Sequence, residues 1–288
     1  MGSDDRIARV REALAGAPVV TAGMTFVPED ALSGLKWGGR ARPALLAAAC
    51  SRLEPDFAFV TADRVWADEA VDRLLECGVA PLWAVSGPLG RLAAATSWQD
   101  VIKRSVRAPR ELAQDMDAVM HGALEQVRRG VRLDVTAVVV ADDVAGAAGP
   151  LVAPDFVLDE VLPRCAALAE EAVAHAVFAA FHSDGDLRPF LAAIARAGFA
   201  AVHPGGLTSP AFEELLMAAR VAGLAVIGGI SGDALREGGP RLVREATQAG
   251  IFARAGGLLV ADDGGITTSA EVASLVEAIA AARGKGDS

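Results

Sequence analysis

Two of the chain's four histidines directly follow apolar segments that have the composition of β-strands. His182 lies in the motif FHSDGD at residues 181–186, and His203 begins the motif HPGG. A neutral imidazole at the end of a strand can bind a metal ion or transfer protons near neutral pH. We therefore predict that His182 and His203 are catalytic, with Asp142 and Asp184 as the acidic groups beside them. The alternative is that both histidines only hold their own loops.

Adjacent acidic residues follow two predicted strands, at positions 142–143 and 262–263. Side chains alternate along a strand, so one member of each pair should point toward the inside of the fold. Carboxylates that converge on one opening repel each other unless a cation or a protonated group is present. The pattern therefore predicts either a metal ion or a positively charged ligand. The alternative is turn formation, because Asp followed by Gly, as at 263–264, is common in turns.

Other polar residues at predicted strand ends are expected to bind substrate. Glycine pairs at 228–229 and 264–265 admit a different ligand, because loops after the last strands of an α/β barrel often bind phosphate through backbone N–H groups. No Lys or Arg adjoins these glycine pairs, so a phosphate site there would lack its usual positive charge. The predicted substrate-binding residues are Asp63, Arg64, Ser86, Asp143, Ser231 and Asp262.

These residues need a scaffold that brings distant strand ends together. Short β-rich apolar runs alternate with longer segments of helical period, a pattern typical of parallel strands joined by helices. The length of 288 residues is close to the roughly 250 residues of an eight-stranded α/β barrel. We predict a single TIM-type (β/α)8 barrel over residues 1–288, with an N-terminal helical extension and a frayed tail at 284–288. An open, doubly wound sheet is the alternative. The predicted strands are 19–26, 57–61, 81–86, 135–141, 176–181, 200–203, 225–229 and 257–261.

Local signals mark several helix starts in the second half of the chain. Ser209 followed by Pro210 predicts an N-cap and a first helical residue, and the spacing of Thr268 and Glu271 predicts a capping box. Long segments at 27–56 and 97–133 interrupt the alternation of strands and helices. The predicted helices are 67–76, 109–129, 159–174, 187–197, 210–221, 239–249 and 268–283.

Composition excludes several classes of protein. Hydrophobic residues make up 52% of the chain, which excludes disorder as its main state. No run approaches the roughly 18 uninterrupted apolar residues of a membrane span. The 27 basic and 37 acidic residues give a net charge of -10, which disfavours nucleic acid as a partner. The three cysteines form no CxxC motif and the N-terminus has no signal-peptide pattern, so we expect a soluble cytoplasmic protein.

The second half of the chain resembles the uroporphyrinogen decarboxylase superfamily, which includes the decarboxylase of haem biosynthesis and corrinoid-dependent methyltransferases. The resemblance lies in segments within 139–163, in FHSDGD, in GGISGDAL at 228–235 and in DGGI at 263–266, in family order. The N-terminal helix, with residues 9–17, is similar to the opening segment of the family. The resemblance implies a TIM-type barrel.

The resemblance implies two activities with opposite charge requirements. The decarboxylase acts on a substrate with many carboxylates, which needs a pocket rich in Arg or Lys. The predicted mouth is acidic here, with Arg40, Arg42 and Arg64 as the nearest basic candidates, and the chain has no Tyr to match the tyrosine of the decarboxylase site. The methyltransferases hold zinc through a His-x-Cys motif and a later Cys. In this chain Asp184 stands at the position of the first Cys, and no Cys follows Cys165.

We therefore expect a metal site formed by His182, Asp184 and Asp262, with His203 as an alternative ligand, because zinc accepts imidazole and carboxylate ligands. The hypothesis is a methyltransferase that moves a methyl group from a small methylated compound to a corrinoid on a partner protein. A divalent metal, with zinc as the first candidate, and the corrinoid are the implied cofactors. The alternatives are a carboxy-lyase that decarboxylates uroporphyrinogen, and a non-catalytic barrel that binds a tetrapyrrole or a partner protein. The Ala-rich helices are also compatible with a homodimer.

Overall fold

The computed structural model describes residues 3–25, 54–146 and 148–284. The strands are β1 (Phe57–Thr61), β2 (Ala80–Ser86), β3 (Ala137–Ala141), β4 (Ala145–Gly146), β5 (Gly149–Pro150), β6 (Phe178–Asp184), β7 (Ala201–Gly205), β8 (Ala225–Ile230) and β9 (Leu258–Asp262). Seven of them form one parallel sheet in the order β1-β2-β3-β6-β7-β8-β9. The short strands β4 and β5 form a separate antiparallel hairpin directly after β3.

The extended segment 21–25 closes the sheet into a barrel. Ala22 pairs in parallel with Val260 of β9, and Met24 pairs in parallel with Ala58 of β1. The segment therefore bridges the two edges of the sheet and takes the position of the eighth strand of the barrel. It lies within residues 19–26, which the sequence predicts as the first strand. A sheet that is paired at both edges has no free edge left. The prediction of a (β/α)8 barrel is confirmed, and the open doubly wound alternative is wrong.

Helices cover the outside of the barrel, because each parallel strand needs a crossover to reach its neighbour. They are α1 (Ser3–Leu14), α2 (Ala67–Glu76), α3 (Pro88–Ala95), α4 (Trp98–Arg107), α5 (Pro109–Arg132), α6 (Pro154–Phe156), α7 (Leu162–Val173), α8 (Leu191–Arg196), α9 (Ala211–Val221), α10 (Gly232–Glu237), α11 (Gly239–Arg254) and α12 (Ser269–Ala282). A π-helical turn, Val157–Val161, joins α6 to α7, and a 3-10 turn, Arg188–Phe190, precedes α8. None of the described helices is long and apolar enough to cross a membrane.

Alternation along the strands divides the apolar core into two layers. Inward-facing residues such as Phe57 and Leu82 fill the barrel, and the outward-facing residues pack against the helices. Helix α1 contributes Val10 and Leu14 to the inner layer. The N-terminal helix therefore covers the end of the barrel where the strands begin. The candidate site residues lie at the opposite end.

Helix ends follow the sequence signals in part. The capping box between Thr268 and Glu271 is present at the start of α12. The prediction that Ser209 caps α9 is wrong, because Pro210 occupies the N-cap position and the Phe212 N–H donates to the carbonyl of Thr208 at 3.0 Å. The Thr208 carbonyl therefore accepts the N–H group that the Ser209 hydroxyl would accept if Ser209 were the N-cap.

The segment 97–133 contains two helices instead of the single predicted one. Ser97 is the N-cap of α4, because its side chain accepts the backbone N–H of Asp100. Ser is a preferred N-cap residue, so the start of the additional helix has a recognisable sequence signal. Most of the segment 27–56, together with residues 285–288 of the predicted tail, lies outside the described residues.

A buried ion-pair cluster joins the two ends of the described chain at the helix-covered end of the barrel. The Asp56 carboxylate is fully buried and receives Nη2 of Arg9 and Nη2 of Arg283, each at 2.8 Å. It also accepts the backbone N–H of Ala22, in the closing segment, at 2.9 Å. Asp56 therefore ties the first helix, the closing segment and the end of α12 together.

We expect Asp56→Ala to lower the free energy of unfolding by about 3 kcal/mol, because it leaves two largely buried arginine side chains without their buried counter-charge. The measurement is urea denaturation. Asp5 also pairs with Arg9, at 3.3 Å, but it is half exposed, so Asp5→Ala should change the free energy by less than about 1 kcal/mol. Equal effects of the two substitutions would contradict this assignment.

Candidate metal and substrate site

His182, Asp143 and Asp184 converge at the end of the barrel where the strands finish. Each offers one ligand atom, and these atoms all lie within 4.8 Å of one another. His182 Nε2 is 3.9 Å from Asp143 Oδ1 and 3.9 Å from Asp184 Oδ1. The side chains are 11% exposed for His182, 31% for Asp143 and 63% for Asp184, so the group opens to solvent on one side. One imidazole and two carboxylates thus form a group that could hold a metal ion.

Hydrogen bonds assign the tautomer of His182. Its Nδ1 lies 3.0 Å from the carbonyl oxygen of His203 and 2.7 Å from His203 Nδ1. His203 Nε2 lies 3.3 Å from the carbonyl oxygen of Asp262, which can only accept, so the neutral His203 ring carries its proton on Nε2 and its Nδ1 is an acceptor. Both partners of His182 Nδ1 therefore accept, and His182 Nδ1 carries the proton. Nε2, which faces the two carboxylates, is therefore the unprotonated nitrogen in the neutral ring. Histidines that bind metals almost always donate their other ring N–H in this way, often to a backbone carbonyl.

His203 lies behind His182 and is completely buried. The two rings stack with centroids 4.8 Å apart, and the ring of Phe59 contacts His203 edge-on at 5.5 Å. Burial lowers the pKa of His203 well below its usual value, and the nearby His182 lowers it further. His203 is therefore neutral at neutral pH. The structure places it as a support for His182 and not at the surface of the site, where we predicted a second catalytic imidazole.

The charges around this group favour a bound cation. Partial desolvation raises the pKa of Asp184, and the negative charges of Asp143 and Asp263 raise it further, while His182 lowers it. A positive charge placed beside Asp184 would relieve this repulsion between negative charges. This agrees with the expectation that the acidic mouth binds a metal or a cationic ligand.

A cavity of about 300 Å³ adjoins the two carboxylates. Trp98 at the start of α4 and Leu151 after the β4–β5 hairpin provide its apolar surface. Among the residues that the structure describes, none that lines this cavity carries a positive charge. The remaining lining residues are Ala145, Gly146, Gly185, Gly205 and Gly206.

Asp142 has a structural position, contrary to the prediction of a catalytic group. Its buried carboxylate accepts the backbone N–H of Leu89 at 3.2 Å and of Gly90 at 2.6 Å, at the start of α3. The Cys165 thiol lies 3.7 Å from the same carboxylate. Because adjacent side chains diverge, Asp142 turns to the helix layer and Asp143 turns to the site.

Asp262 is not part of the ligand group, although we expected it to bind the metal. Its fully buried carboxylate accepts the backbone N–H and the hydroxyl of Thr25, and the N–H of Gly264 at 3.1 Å. Asp262 therefore joins the end of the closing segment to the end of β9. Asp143, which we assigned to substrate binding, takes the third position in the group.

Four predicted substrate-binding residues lie away from the His182 cavity. Asp63 and Arg64 are exposed and face each other at 3.8 Å. The carbonyl of Ser86 accepts Nε of Arg91. Ser231 caps α10, donates to Glu245 at 2.8 Å, and lines a separate cavity of about 510 Å³ between α9 and α11. Arg40 and Arg42 lie outside the described residues.

Backbone N–H groups that a phosphate site would need are already hydrogen-bonded within the chain. The N–H groups of Gly232 and Gly265, at the ends of the last two strands, both donate to Asp263 Oδ1, at 3.1 and 3.0 Å. The chain's own carboxylate thus occupies the position that a phosphate oxygen would take. We conclude that these loops are not an anion site in this conformation.

Sequence reasoning missed three residues of the site: Trp98, Leu151 and Ser183. Trp98 directly follows the N-cap signal at Ser97, which could have placed it at a helix start. Leu151 lies in a segment that carried the family resemblance without a predicted role. Ser183 stands between two predicted site residues, His182 and Asp184.

Comparison with solved structures supports the fold. A methyltransferase from Methanosarcina mazei superposes with a TM-score of 0.70 at 16% identity, over 95% of this chain and 98% of that one. A tryptophan synthase from M. tuberculosis gives 0.52 at 15% identity, over 96% and 98% of the two chains. A xylose isomerase-like TIM barrel protein from Mycobacterium smegmatis, in complex with magnesium, gives 0.51 at 10% identity, over 93% and 98%. No protein-family model and no curated protein matches the chain. The TIM-type fold is therefore shared, and the chemistry must be argued from the site.

Stability should depend on pH through Asp142. Burial raises its pKa to about 7, whereas an unfolded Asp titrates near pH 4. The native state therefore holds one additional proton between these values, and the free energy of unfolding falls as the pH rises through this window. Asp142→Asn removes the ionisable carboxyl, so the loss of stability between pH 5 and 7 should be smaller by about 2 kcal/mol.

Urea denaturation in EDTA at several pH values measures this difference. Asp72→Asn, at an exposed position of α2, serves as the control and should follow the wild type. Parallel pH profiles for Asp142→Asn and the wild type would contradict the burial of an ionisable carboxyl at this position.

Proposed function

We propose that the protein is a metal-dependent methyltransferase that moves a methyl group from a small methylated compound to a corrinoid carrier. The observation that carries the proposal is the convergence of His182, Asp143 and Asp184 beside a small cavity at the mouth of the barrel. The resemblance in FHSDGD and DGGI, together with the fold likeness to a methyltransferase, supports methyl transfer as the reaction. The corrinoid and its carrier protein rest on the resemblance alone.

The donor set fits a divalent metal ion. Imidazole nitrogen and carboxylate oxygen suit Zn²⁺, and they also suit Fe²⁺ and Mn²⁺. The tautomer of His182 presents Nε2 as an acceptor toward the carboxylates, and the His203 carbonyl holds the ring in that orientation. A bound ion would act as a Lewis acid on the substrate heteroatom and make it a better leaving group.

The residues of the chain supply binding and orientation. Trp98 and Leu151 provide apolar surface that excludes water from the methyl group. Gly185 and Gly205 border the same cavity, and neither position has room for a side chain, because a Cβ would clash with Gly146 at the first and with the Asp184 carboxylate at the second.

Size and charge restrict the methyl donor. A volume of about 300 Å³ is at the lower end of the roughly 300–1,000 Å³ of ligand pockets, which favours a small compound. The two carboxylates, without a lining cation among the described residues, favour a neutral or cationic donor over an anionic one. The same charges disfavour uroporphyrinogen, which is rich in carboxylates.

Metal binding provides the first test. We expect one divalent ion per chain in the wild type, measured with Zn²⁺ and Mn²⁺ by calorimetry and by elemental analysis. His182→Ala should weaken binding by more than about 100-fold, beyond the effect of groups that only orient a ligand. His121→Ala, at an exposed position of α5, is the matched control and should bind as the wild type does. A metal-free wild type that binds a tetrapyrrole would instead favour a non-catalytic barrel.

Methyl transfer provides the second test. Incubation with a cob(I)alamin carrier and a panel of methylated ethers, thiols and amines should produce the methylcorrinoid spectrum. Asp184→Asn should lower the rate by about 100-fold or more, because it removes a charged ligand. Failure of the whole panel, together with loss of carboxyl groups from uroporphyrinogen in a parallel assay, would replace methyl transfer by decarboxylation.

A further inference from the structure

We propose that Ser183 is a positioning residue that sets the metal affinity of the site by fastening the loop after β3 to the end of β6. This inference rests on the proposed function, because it assigns Ser183 a role toward the same metal group. Ser183 does not face the cavity and would not touch the ion. It acts through the placement of Asp143 relative to His182 and Asp184.

The Ser183 hydroxyl is completely buried and uses its full hydrogen-bonding capacity. Its Oγ accepts the backbone N–H of Val144 at 3.0 Å and of Ala145 at 3.1 Å, and it donates to the carbonyl of Asp184 at 3.0 Å. One donor and two acceptor positions are all that a hydroxyl has. The two N–H groups belong to the residues that directly follow Asp143, so Ser183 determines where that loop leaves β3.

Two further hydrogen bonds connect the same segments, one in each direction. The backbone N–H of Asp184 donates to Asp143 Oδ1 at 3.0 Å. The backbone N–H of Asp142 donates to the carbonyl of His182 at 2.9 Å. All three candidate ligands therefore lie on two segments that are bonded to each other whether or not an ion is present. The arrangement brings the carboxylates of Asp143 and Asp184 close together, and these hydrogen bonds must offset the repulsion between the two negative charges.

The β4–β5 hairpin carries the effect to the substrate cavity. Ala145 and Gly146 line that cavity. Ala145 donates its backbone N–H to Ser183, and Gly146 is the next residue. Gly185 has a φ of 83°, and a Cβ added there would clash with the carbonyl group of Gly146. The hairpin thus packs directly on the turn after β6. The hydroxyl that positions Asp143 also positions one wall of the cavity.

Removal of the hydroxyl should free the loop. In Ser183→Ala the N–H groups of Val144 and Ala145 lose their acceptor, and a buried N–H without an acceptor drives the backbone to move. The shift separates Asp143 from His182. We expect the dissociation constant for Zn²⁺ or Mn²⁺ to rise by about 10- to 100-fold, the range found when a group that orients a metal ligand is removed.

The experiment separates affinity from stability. The unfolding transition is measured in EDTA, and metal affinity is measured by calorimetry on the folded proteins, for the wild type, Ser183→Ala, Ser183→Cys and Ser183→Thr. Ser183→Thr keeps the hydroxyl and should bind within about threefold of the wild type, whereas Ser183→Cys, with a weaker acceptor, should fall between the wild type and Ser183→Ala. Ser105→Ala is the control, because Ser105 is also buried and donates to the Ile102 carbonyl, away from the site.

The outcomes distinguish this inference from the proposed function. A wild type that binds metal, with weakened binding in Ser183→Ala and recovery in Ser183→Thr, supports both. A folded Ser183→Ala or Ser183→Cys that is less stable in EDTA but binds metal as the wild type does shows a merely structural hydroxyl, and overturns this inference while the metal site stands. A wild type that binds no divalent ion overturns both.

Discussion

The register between β6 and β7 is the constraint on which the site depends. It places His182 directly beside His203, so that a ring nitrogen of one residue meets the backbone carbonyl of the other at 3.0 Å. The His203 carbonyl, together with His203 Nδ1 at 2.7 Å from the same ring nitrogen, sets the tautomer and the direction of the His182 ring. A shift of one residue would send His182 to the opposite face of the strand, because side chains alternate with a period of two. The closed barrel holds this register, since β6 and β7 are each paired on both sides.

Acidic residues at the mouth fall into two groups that differ in whether their carboxylates lie toward His182. Asp142, Asp262 and Asp263 accept backbone N–H groups and thereby fasten helix starts and strand ends. Asp143 and Asp184 lie toward His182 and the cavity. Burial explains the positions of Asp142 and Asp262, because a carboxylate removed from water must find donors within the chain. Asp143 and Asp184 are more exposed and can exchange water for a cation.

The shared fold leaves the chemistry undetermined. Solved structures with the same barrel include a methyltransferase, a tryptophan synthase and a xylose isomerase-like protein, all at 10 to 16% identity. A barrel of this kind accepts many reactions, because the loops after the strands can vary while the core is kept. The distinguishing features of this chain are therefore the ligand group, the tryptophan at the start of α4, and the loop held by Ser183.

The sequence by itself determined the architecture and the identity of the main site residue. Apolar runs of strand length, separated by helical segments, predict a barrel because local period and burial are properties of neighbouring residues. A histidine between a strand and a polar turn is recognisable for the same reason. Tertiary structure decided which carboxylates join it. Whether Asp142 or Asp143, and Asp184 or Asp262, faces His182 depends on strand twist, on register and on donors far away in the chain, such as the Thr25 N–H that engages Asp262. No local pattern contains those distances, so only the tertiary structure shows that Asp143, and not Asp262, lies beside His182 and Asp184.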